Sequence, residues 1–366
     1  MQDALMQVAL IGLPLSGKTT LCNAMTAGHA EKPGQRAGRG EVRSAVVNVP
    51  DPRVAVLADL FNPRKITYAQ VRFDDVSGVS RGSAEASSFD TRLLDAMGRA
   101  DALLQIIRAF DDDRVPHPEL TIDPARDVEI VTLELIVSDL ATVERRLERI
   151  ANGLRKTHGD QRAKLLAEES LMRRLADDLS QGIAIRDMGL TPAEQLAIRG
   201  FQFLTAKPTL VVLNLGEDVE PQTPAEWAAQ QQKALVLGIR GMLEMEIAQL
   251  PTEERALYLE SYGIAEPSLN VLVRECYRLL GLMSFFTVGE DEVRAWTVQQ
   301  GATAVEAAGA IHTDLARGFI RAEVIGYEEM IACGSLGEAR RQGKLRLEGK
   351  DYVVQDGDIL NIRFNV

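Results

Sequence analysis

A glycine-rich segment near the start of the chain, GLPLSGKT at 12–19, constrains the fold most strongly. A short apolar run at 7–13 leads into it and predicts a buried strand, and a helix is predicted from about Thr19 to Met25. The spacing GxxxxGK[ST] between a strand and a helix is typical of a loop that wraps phosphate groups with main-chain N–H groups. The segment therefore predicts an α/β sheet with an anion site at one edge.

Two side chains of this segment have predicted roles at the site. Lys18 is expected to reach the β- and γ-phosphates of a nucleotide, and the Thr19 hydroxyl is placed to ligate Mg²⁺. The competing interpretation is a glycine-rich turn with an exposed lysine. The strand and helix on either side of the segment favour the phosphate site.

A second candidate element, DDVSG at 74–78, lies where another predicted strand (68–76) ends. In proteins with a phosphate loop, an aspartate at such a place holds the metal through water, and the glycine N–H senses the γ-phosphate. We expect Asp75 rather than Asp74 to hold the metal, and Gly78 to contact the phosphate. The alternative is that two acidic residues before a Ser-Gly turn only cap a loop.

The third candidate element follows an apolar strand predicted at 210–215 and reads Asn214-Leu215-Gly-Glu217. GTPases generally carry N-K-x-D at this place, and the aspartate accepts two hydrogen bonds from guanine. Here Leu215 replaces the lysine and Glu217 stands near the position of the acid, so we expect guanine to be disfavoured. The alternative is that Asn214 and Glu217 simply close the strand.

The rest of the chain divides by its hydrophobic periodicity. A further buried strand is predicted at 102–110, helices at 127–158, 160–182 and 192–204, a loop at 28–44 and a turn at 50–53. The helices resemble an antiparallel insertion with coiled-coil character. From about residue 283, apolar and polar residues alternate as they do in half-buried strands, including the stretch 293–312. The sequence QDGD at 355–358 predicts a tight turn.

The composition limits the compartment and the partners. The net charge of −12 argues against a protein that coats DNA. The cysteines Cys22, Cys276 and Cys333 are far apart in sequence, and no run of 18 apolar residues occurs, which favours a cytoplasmic protein without membrane contact.

Taken together, these motifs make the chain resemble the YchF/Obg-like ATPase family. The matching segments are GLPLSGKTT (12–20), VPDPR (49–53), DDVSG (74–78), DVEIVTLEL (127–135), FLTAKPT (203–209), NLGED (214–218), EVRAWTV (292–298), GATA (301–304), AGAIHTDLARGFIRAE (308–323) and GKDYVVQDGDILNIRFNV (349–366). They cover nearly the whole chain.

The resemblance implies an α/β P-loop NTPase sheet of the Obg/TRAFAC type, an inserted helical hairpin and a C-terminal α+β, TGS-like (ubiquitin-like) domain. The boundaries it suggests are 1–126 with 203–282 for the nucleotide domain, 127–202 for the insertion and 283–366 for the TGS-like domain. It also implies ATP and Mg²⁺ as ligands, ATP hydrolysis, and association with the ribosome or its RNA.

The resemblance also assigns residues to the ligands. The phosphate contacts it implies are Gly12, Leu13, Pro14, Leu15, Ser16, Gly17, Lys18, Thr19 and Thr20. Asn214 and Leu215 are implied at the base, with Glu217 at the family's acidic position.

Three departures from the family surround the expected γ-phosphate. Leu15 stands where family members commonly have an asparagine associated with potassium-assisted hydrolysis. Arg39 lies near the place of a threonine that reaches Mg²⁺, and the second switch is shortened to VSRGSAEASSFDT (79–91). We therefore expect binding to be better preserved than turnover. A non-hydrolysing ATP-binding module is the first alternative, and a GTPase is the second.

Other polar residues keep open interpretations. Arg36, Arg39 and Arg43 are candidates for stabilising charge at the γ-phosphate, and a solvated loop explains them as well. His312 is expected to be structural or to contact RNA. The C-terminal module also carries a basic group compatible with ribosomal contact or an ordinary solvated face: Arg317, Arg321, Arg340, Arg341, Lys344 and Arg346.

Overall fold

The computed structural model describes residues 5–29, 43–76, 79, 82, 91–219 and 235–365. The chain forms two compact units. One comprises Met1–Met6, Val46–Arg72 and Asn270–Val366, and the other comprises Gln7–Ala45 and Phe73–Leu269. The domain boundaries expected from sequence stay a prediction.

The secondary structure alternates strands and helices before it becomes helical and then mixed. The strands are β1 (Gln7–Ile11), β2 (Arg43–Asn48), β3 (Lys65–Thr67), β4 (Gln70–Asp75), β5 (Ala102–Ala109), β6 (Thr209–Leu215), β7 (Leu235–Ile239), β8 (Leu282–Thr287), β9 (Glu292–Gln299), β10 (Phe319–Gly326), β11 (Arg346–Glu348) and β12 (Asp358–Phe364). The helices are α1 (Lys18–His29), α2 (Pro52–Phe61), α3 (Thr91–Arg99), α4 (Pro124–Leu154), α5 (Gly159–Ser180), α6 (Pro192–Ile198), α7 (Gly241–Gln249), α8 (Thr252–Ser261), α9 (Ser268–Leu279), α10 (Ala304–Ile311), α11 (Thr313–Arg317), α12 (Tyr327–Cys333) and α13 (Leu336–Arg341).

The first sheet has the strand order β2-β4-β1-β5-β6-β7 among the described residues. β5 pairs in parallel with β1 and β6, and β6 pairs in parallel with β7. All seven residues of β6 are buried, as expected for a parallel strand covered on both faces. β4 also runs parallel to β1, because the Arg72 N–H donates to Met6 O and the Val76 N–H donates to Leu10 O. Since parallel strands end at one edge, the segments after β1, β4 and β6 converge there. The predicted α/β sheet is confirmed.

A helical insertion follows β5. Asp123 caps α4 by accepting a hydrogen bond from the Arg126 N–H. Only four residues connect α4 to α5, so two helices that pack on one another must run antiparallel. Their shared apolar cluster includes Val143, Ile150 and Leu175. The prediction of an inserted helical hairpin is confirmed, although the helix expected at 192–204 ends at Ile198 and continues as a 3₁₀ turn.

A buried carboxylate fastens α4 to the segment before β6. The Leu204 N–H donates to Asp139 Oδ1 at 2.9 Å, while the N–H and hydroxyl of Thr205 both donate to Oδ2 at 2.7 Å. Asp139 and Thr205 are 3% and 0% exposed. Burial raises the pKa of Asp139 to about 6, with the hydrogen bonds from Thr205 and Leu204 opposing the rise.

We expect Asp139→Asn to lower the free energy of unfolding by about 2 kcal/mol at pH 7, because in either orientation the new NH₂ faces a main-chain N–H, which can only donate. Because the pKa of Asp139 is about 6 in the folded protein and 3.8 is its ordinary value, wild-type stability falls as pH rises from about 4 to about 6. The difference between wild type and variant should therefore shrink by about 1 kcal/mol from pH 5 to pH 7. Urea denaturation of both proteins tests this. Asp177→Asn, an exposed change on α5, should give a small and constant difference.

The second sheet has the order β11-β10-β12-β8-β9-β3 among the described residues. It forms the C-terminal β domain, and β3 joins it by pairing in parallel with β9. The turn predicted at 50–53 was wrong, because Asp51 caps α2 by accepting the Arg53 N–H and Pro52 occupies the first helical turn. The Arg53 guanidinium also donates to both oxygens of Asp356.

Part of the alternating stretch predicted at 293–312 was also wrong. β9 is a strand, but residues from Ala304 to Ile311 form α10. A capping box explains the change: the Thr303 hydroxyl accepts the Glu306 N–H while the Glu306 carboxylate accepts from Thr303. The tight turn at QDGD is confirmed, since the Asp358 N–H donates to Gln355 O at 3.1 Å.

Candidate nucleotide-binding site

The glycine-rich loop lies between β1 and α1, as its spacing predicts. Lys18 is only 7% exposed, and its Nζ donates to Leu13 O at 2.7 Å and to Gly12 O at 3.1 Å. Burial lowers the pKa of Lys18 to about 8, and the nearby charge of Asp75 partly opposes this. The positive charge of the ammonium is therefore buried and only partly neutralised by its protein partners. A bound anion would stabilise it.

A hydroxyl and a carboxylate meet next to this lysine. Thr19, at the second position of α1, donates from Oγ1 to Asp75 Oδ2 at 2.9 Å, and Asp75 is the last residue of β4. Asp74 is directed elsewhere, because its Oδ1 accepts from Ser44 Oγ at 2.6 Å. The two residues expected to hold Mg²⁺ are thus brought together, while the alternative acid is engaged by β2.

The oxygen pair suits Mg²⁺ better than metals that need a full protein cage. Within the described ranges, no group of three or more His, Cys, Asp or Glu residues could hold a metal ion. Mg²⁺ usually takes one or two protein oxygens and completes its shell with water and substrate phosphates. Thr19 Oγ1 and Asp75 Oδ2, 2.9 Å apart, fit that requirement.

The end of β6 supports the loop from behind. The Asn214 amide donates from Nδ2 to Ser16 O at 3.1 Å and accepts from the Gly241 N–H at Oδ1, also at 3.1 Å. Asn214 is 5% exposed. It therefore links the phosphate loop to the first residue of α7. Sequence reasoning predicted Asn214 but missed Gly241, whose only signal is its place just after an apolar strand.

Comparisons with known proteins agree on one family. The chain is 40% identical over 361 residues to the ribosome-binding ATPase YchF of Haemophilus ducreyi and 38% identical over 366 residues to that of Bacillus subtilis. Each match covers 98% of this chain and 98% of the relative. The chain belongs to the YchF family. Residues 282–365 also match the family model YchF-GTPase_C, described as a protein of unknown function (DUF933).

The fold of the family is shared as well. The solved structure described as the Schizosaccharomyces pombe YchF GTPase superposes with a TM-score of 0.82 at 26% identity, covering 98% of this chain and 97% of that one. The bacterial YchF relatives are named ATPases and the yeast structure is named a GTPase. The nucleotide preferred by a YchF protein therefore has to be argued from its base site.

The surroundings of Glu217 and Leu215, the residues expected near the nucleotide base, change one argument made from the sequence. Glu217 is exposed, so water can solvate its carboxylate whichever base is bound. Leu215 is 9% exposed and belongs to an apolar cluster with Val236. Its side chain is thus a part of the core.

Phe110 lies next to the segment after β6 that is expected to contact the base. Sequence reasoning did not predict this residue. A Cβ added at Gly216 would lie 4.0 Å from Phe110 Cβ, and the Arg108 guanidinium lies 4.5 Å from the ring centroid. Arg108 also donates from Nε to Phe110 O at 3.1 Å. An aromatic residue directly after a buried strand at the binding edge was the available signal.

The remaining candidates fall into two groups. Gly78, Arg36 and Arg39 lie outside the described residues, as does most of the loop expected at 28–44; its ends belong to α1 and β2. Leu15 is 51% exposed with φ of 64°, and Arg43 is exposed.

His312 has a local structural role. Its Nδ1 accepts the Asp314 N–H at 3.2 Å, which caps α11. No described helix is long and apolar enough to span a membrane.

Proposed function

We propose that this chain binds ATP with Mg²⁺ and hydrolyses it slowly to ADP and phosphate, as a cytoplasmic switch that associates with ribosomes. The observation that carries the proposal is the cluster of Lys18, Thr19 and Asp75 at the edge of a parallel sheet. The YchF relatives, named ribosome-binding ATPases, support the same reading.

The chemistry asks the protein mainly to position groups and neutralise charge. The loop of residues 12–17 offers main-chain N–H groups to the phosphates, and Lys18 supplies a buried positive charge for the β- and γ-phosphates. Thr19 and Asp75 are the residues that would hold Mg²⁺, directly and through water. The bound ion would neutralise charge that develops on the phosphate oxygens.

ATP is preferred to GTP in this proposal. The lysine of the GTPase pattern is replaced by the buried Leu215, and Glu217 is one methylene longer than the acid that pairs with guanine. Titrating both nucleotides with Mg²⁺ by calorimetry tests the preference. Equal or tighter binding of GTP would overturn it and support the GTPase alternative.

A non-hydrolysing module remains a second candidate because of two residues near the loop. The Leu15 side chain has no oxygen to contribute, and Val79, which follows the Gly78 position, is buried and cannot orient water. Single-turnover measurement of phosphate release separates the two functions. Release clearly above that of Lys18→Ala supports hydrolysis, whereas ATP binding with equal release supports the non-hydrolysing module.

Association with ribosomes is tested separately. Co-sedimentation of the chain with purified ribosomes, with ATP, with ADP and without nucleotide, should show nucleotide-dependent binding if the protein is a switch. Absence of the chain from the ribosome fractions in all three conditions would remove this part of the proposal.

The pKa of Lys18 predicts a proton linked to binding. Lys18 is about half charged at pH 8, and phosphates placed against Nζ should raise its pKa, so ATP binding should take up about half a proton at that pH. Calorimetry in two buffers of different ionisation enthalpy measures this uptake. At pH 6.5, where the lysine is already charged, the uptake should vanish. Identical heats in both buffers at pH 8 would contradict the assignment.

A further inference from the structure

A cavity lies where the helical insertion meets the segments that precede β5 and β6. Its volume is about 460 Å³, which is the size of a small-molecule site. The lining combines three cations, Arg186, Arg199 and Lys207, with one carboxylate, Asp101. Phe203 and Leu190 supply apolar surface.

The cations of this cavity are poorly neutralised. Among the residues that the structure describes, the polar contacts of Arg186 are long: Nη1 lies 3.4 Å from Thr205 O, and Nε lies 4.0 Å from Asp187 Oδ2. Arg199 is exposed and has no ion-pair partner in the part of the chain that is described. Lys207 donates to two main-chain carbonyls, of Gly98 and Ala100. The one lining carboxylate accepts the Gln7 N–H.

Electrostatics point the same way. Burial lowers the pKa of Arg186 and outweighs the nearby charges of Asp187 and Asp139. Burial likewise lowers the pKa of Lys207, and Asp101 and Asp139 do not compensate for it.

Arg53 provides the contrast. Burial lowers its pKa too, but the hydrogen bonds to Asp51 and Asp356 more than restore it, so that its pKa is raised. Burial removes water that would stabilise the positive charges of Arg186 and Lys207. The nearby carboxylates do not make up for this loss.

We propose that this cavity binds an organic phosphate monoester, a dianion joined to an apolar or aromatic group. The lining itself holds three cations and one carboxylate, while Asp187, 4.0 Å from Arg186 Nε, lies outside it, so the surface that faces the cavity carries a net positive charge that favours an anion. Guanidinium groups pair with phosphate oxygens in a fork geometry, and Phe203 and Leu190 give the organic part a surface. This site goes beyond the proposed function and does not involve the glycine-rich loop.

The position of the cavity suggests what its ligand would do. Arg186 belongs to the 3₁₀ turn after α5, and Lys207 precedes β6. A phosphate that contacts both Arg186 and Lys207 would connect the helical insertion to the segment just before β6. It would add to the connection already made between Asp139 and Thr205.

Phenyl phosphate is the probe, titrated by calorimetry and followed by ligand-observed NMR. The full chain carries Lys18→Ala in every sample, so that the first phosphate site does not contribute and its failure cannot be confused with this one. We expect saturable binding of one equivalent, weakened at least tenfold by Arg186→Gln and by Arg199→Gln. Benzoate, a monoanion of similar shape, should bind more weakly.

Arg173→Gln is the matched control, because Arg173 is an exposed arginine on α5 outside the cavity. It should leave binding unchanged. Arg199 is itself exposed, so its variant should fold even if Arg186→Gln does not. Absence of saturable binding in the starting protein, or retention of binding in Arg199→Gln, would overturn the proposal.

Discussion

Lys18→Ala should weaken ATP binding at least 100-fold, equivalent to about 3 kcal/mol, and should remove measurable turnover. The loss is large because Lys18 Nζ is a buried cation held by two carbonyls, and without it only Mg²⁺ and main-chain dipoles would meet the triphosphate at this loop. Calorimetric titration with Mg²⁺ and ATP measures the affinity, and single-turnover phosphate release measures the chemistry.

The same change should cost little stability in the absence of nucleotide. Burial already disfavours the charged form of Lys18, as the lowering of its pKa to about 8 indicates, so its removal relieves a desolvation cost. A variant that keeps its unfolding transition but loses ATP binding would show that the lysine serves the ligand. Lys164→Ala, which removes an exposed charge from α5, should alter neither property. Undiminished ATP affinity in Lys18→Ala would contradict the assignment of the site.

Local patterns predicted the parts of the site that lie in one segment each. The spacing of residues 12–19 correctly places the loop between β1 and α1, and the end of β4 brings Asp75, the acid that the sequence favours, to Thr19; the metal-binding role of Asp75 stays a prediction. These predictions succeed because a glycine-rich loop and the end of a parallel strand are each specified by a few neighbouring residues.

Other features depend on partners far away in sequence and could not be read locally. β3 is three residues long and gains its place from pairing with β9, more than 200 positions later. The exposure of Glu217 follows from the course of the chain after β6, which no spacing rule specifies. The bond between Asn214 and the Gly241 N–H likewise joins two segments that only the folded sheet brings together.

Two of the wrong predictions concern segments that carry a local signal for a helix. Asp51 followed by Pro52 fits a turn, but a capping residue before a proline also begins a helix. The alternation after β9 hid the capping box formed by Thr303 and Glu306, which starts α10. In both segments, capping residues start a helix where the local pattern also fits a turn or a strand.

Gly17→Ala should abolish ATP binding more completely than its small size suggests. Gly17 has φ of 97°, and a Cβ there would lie 2.1 Å from Asn214 Nδ2, the atom that donates to Ser16 O. The added methyl must therefore break the hydrogen bond behind the loop or displace the loop itself. We expect an affinity loss of at least 100-fold, or about 3 kcal/mol, with a lowered midpoint of thermal unfolding.

Gly182→Ala separates the two causes of that loss. Gly182 also has positive φ, 80°, but nothing lies within 4 Å of its added Cβ, so the change carries backbone strain without a collision. It should cost about 1 kcal/mol of stability and leave ATP affinity unchanged, because Gly182 lies after α5. If Gly17→Ala binds ATP as tightly as Gly182→Ala does, the loop does not depend on its bond to Asn214. In that event the close fit of Gly17, Asn214 and Ser16 would have no part in holding the nucleotide.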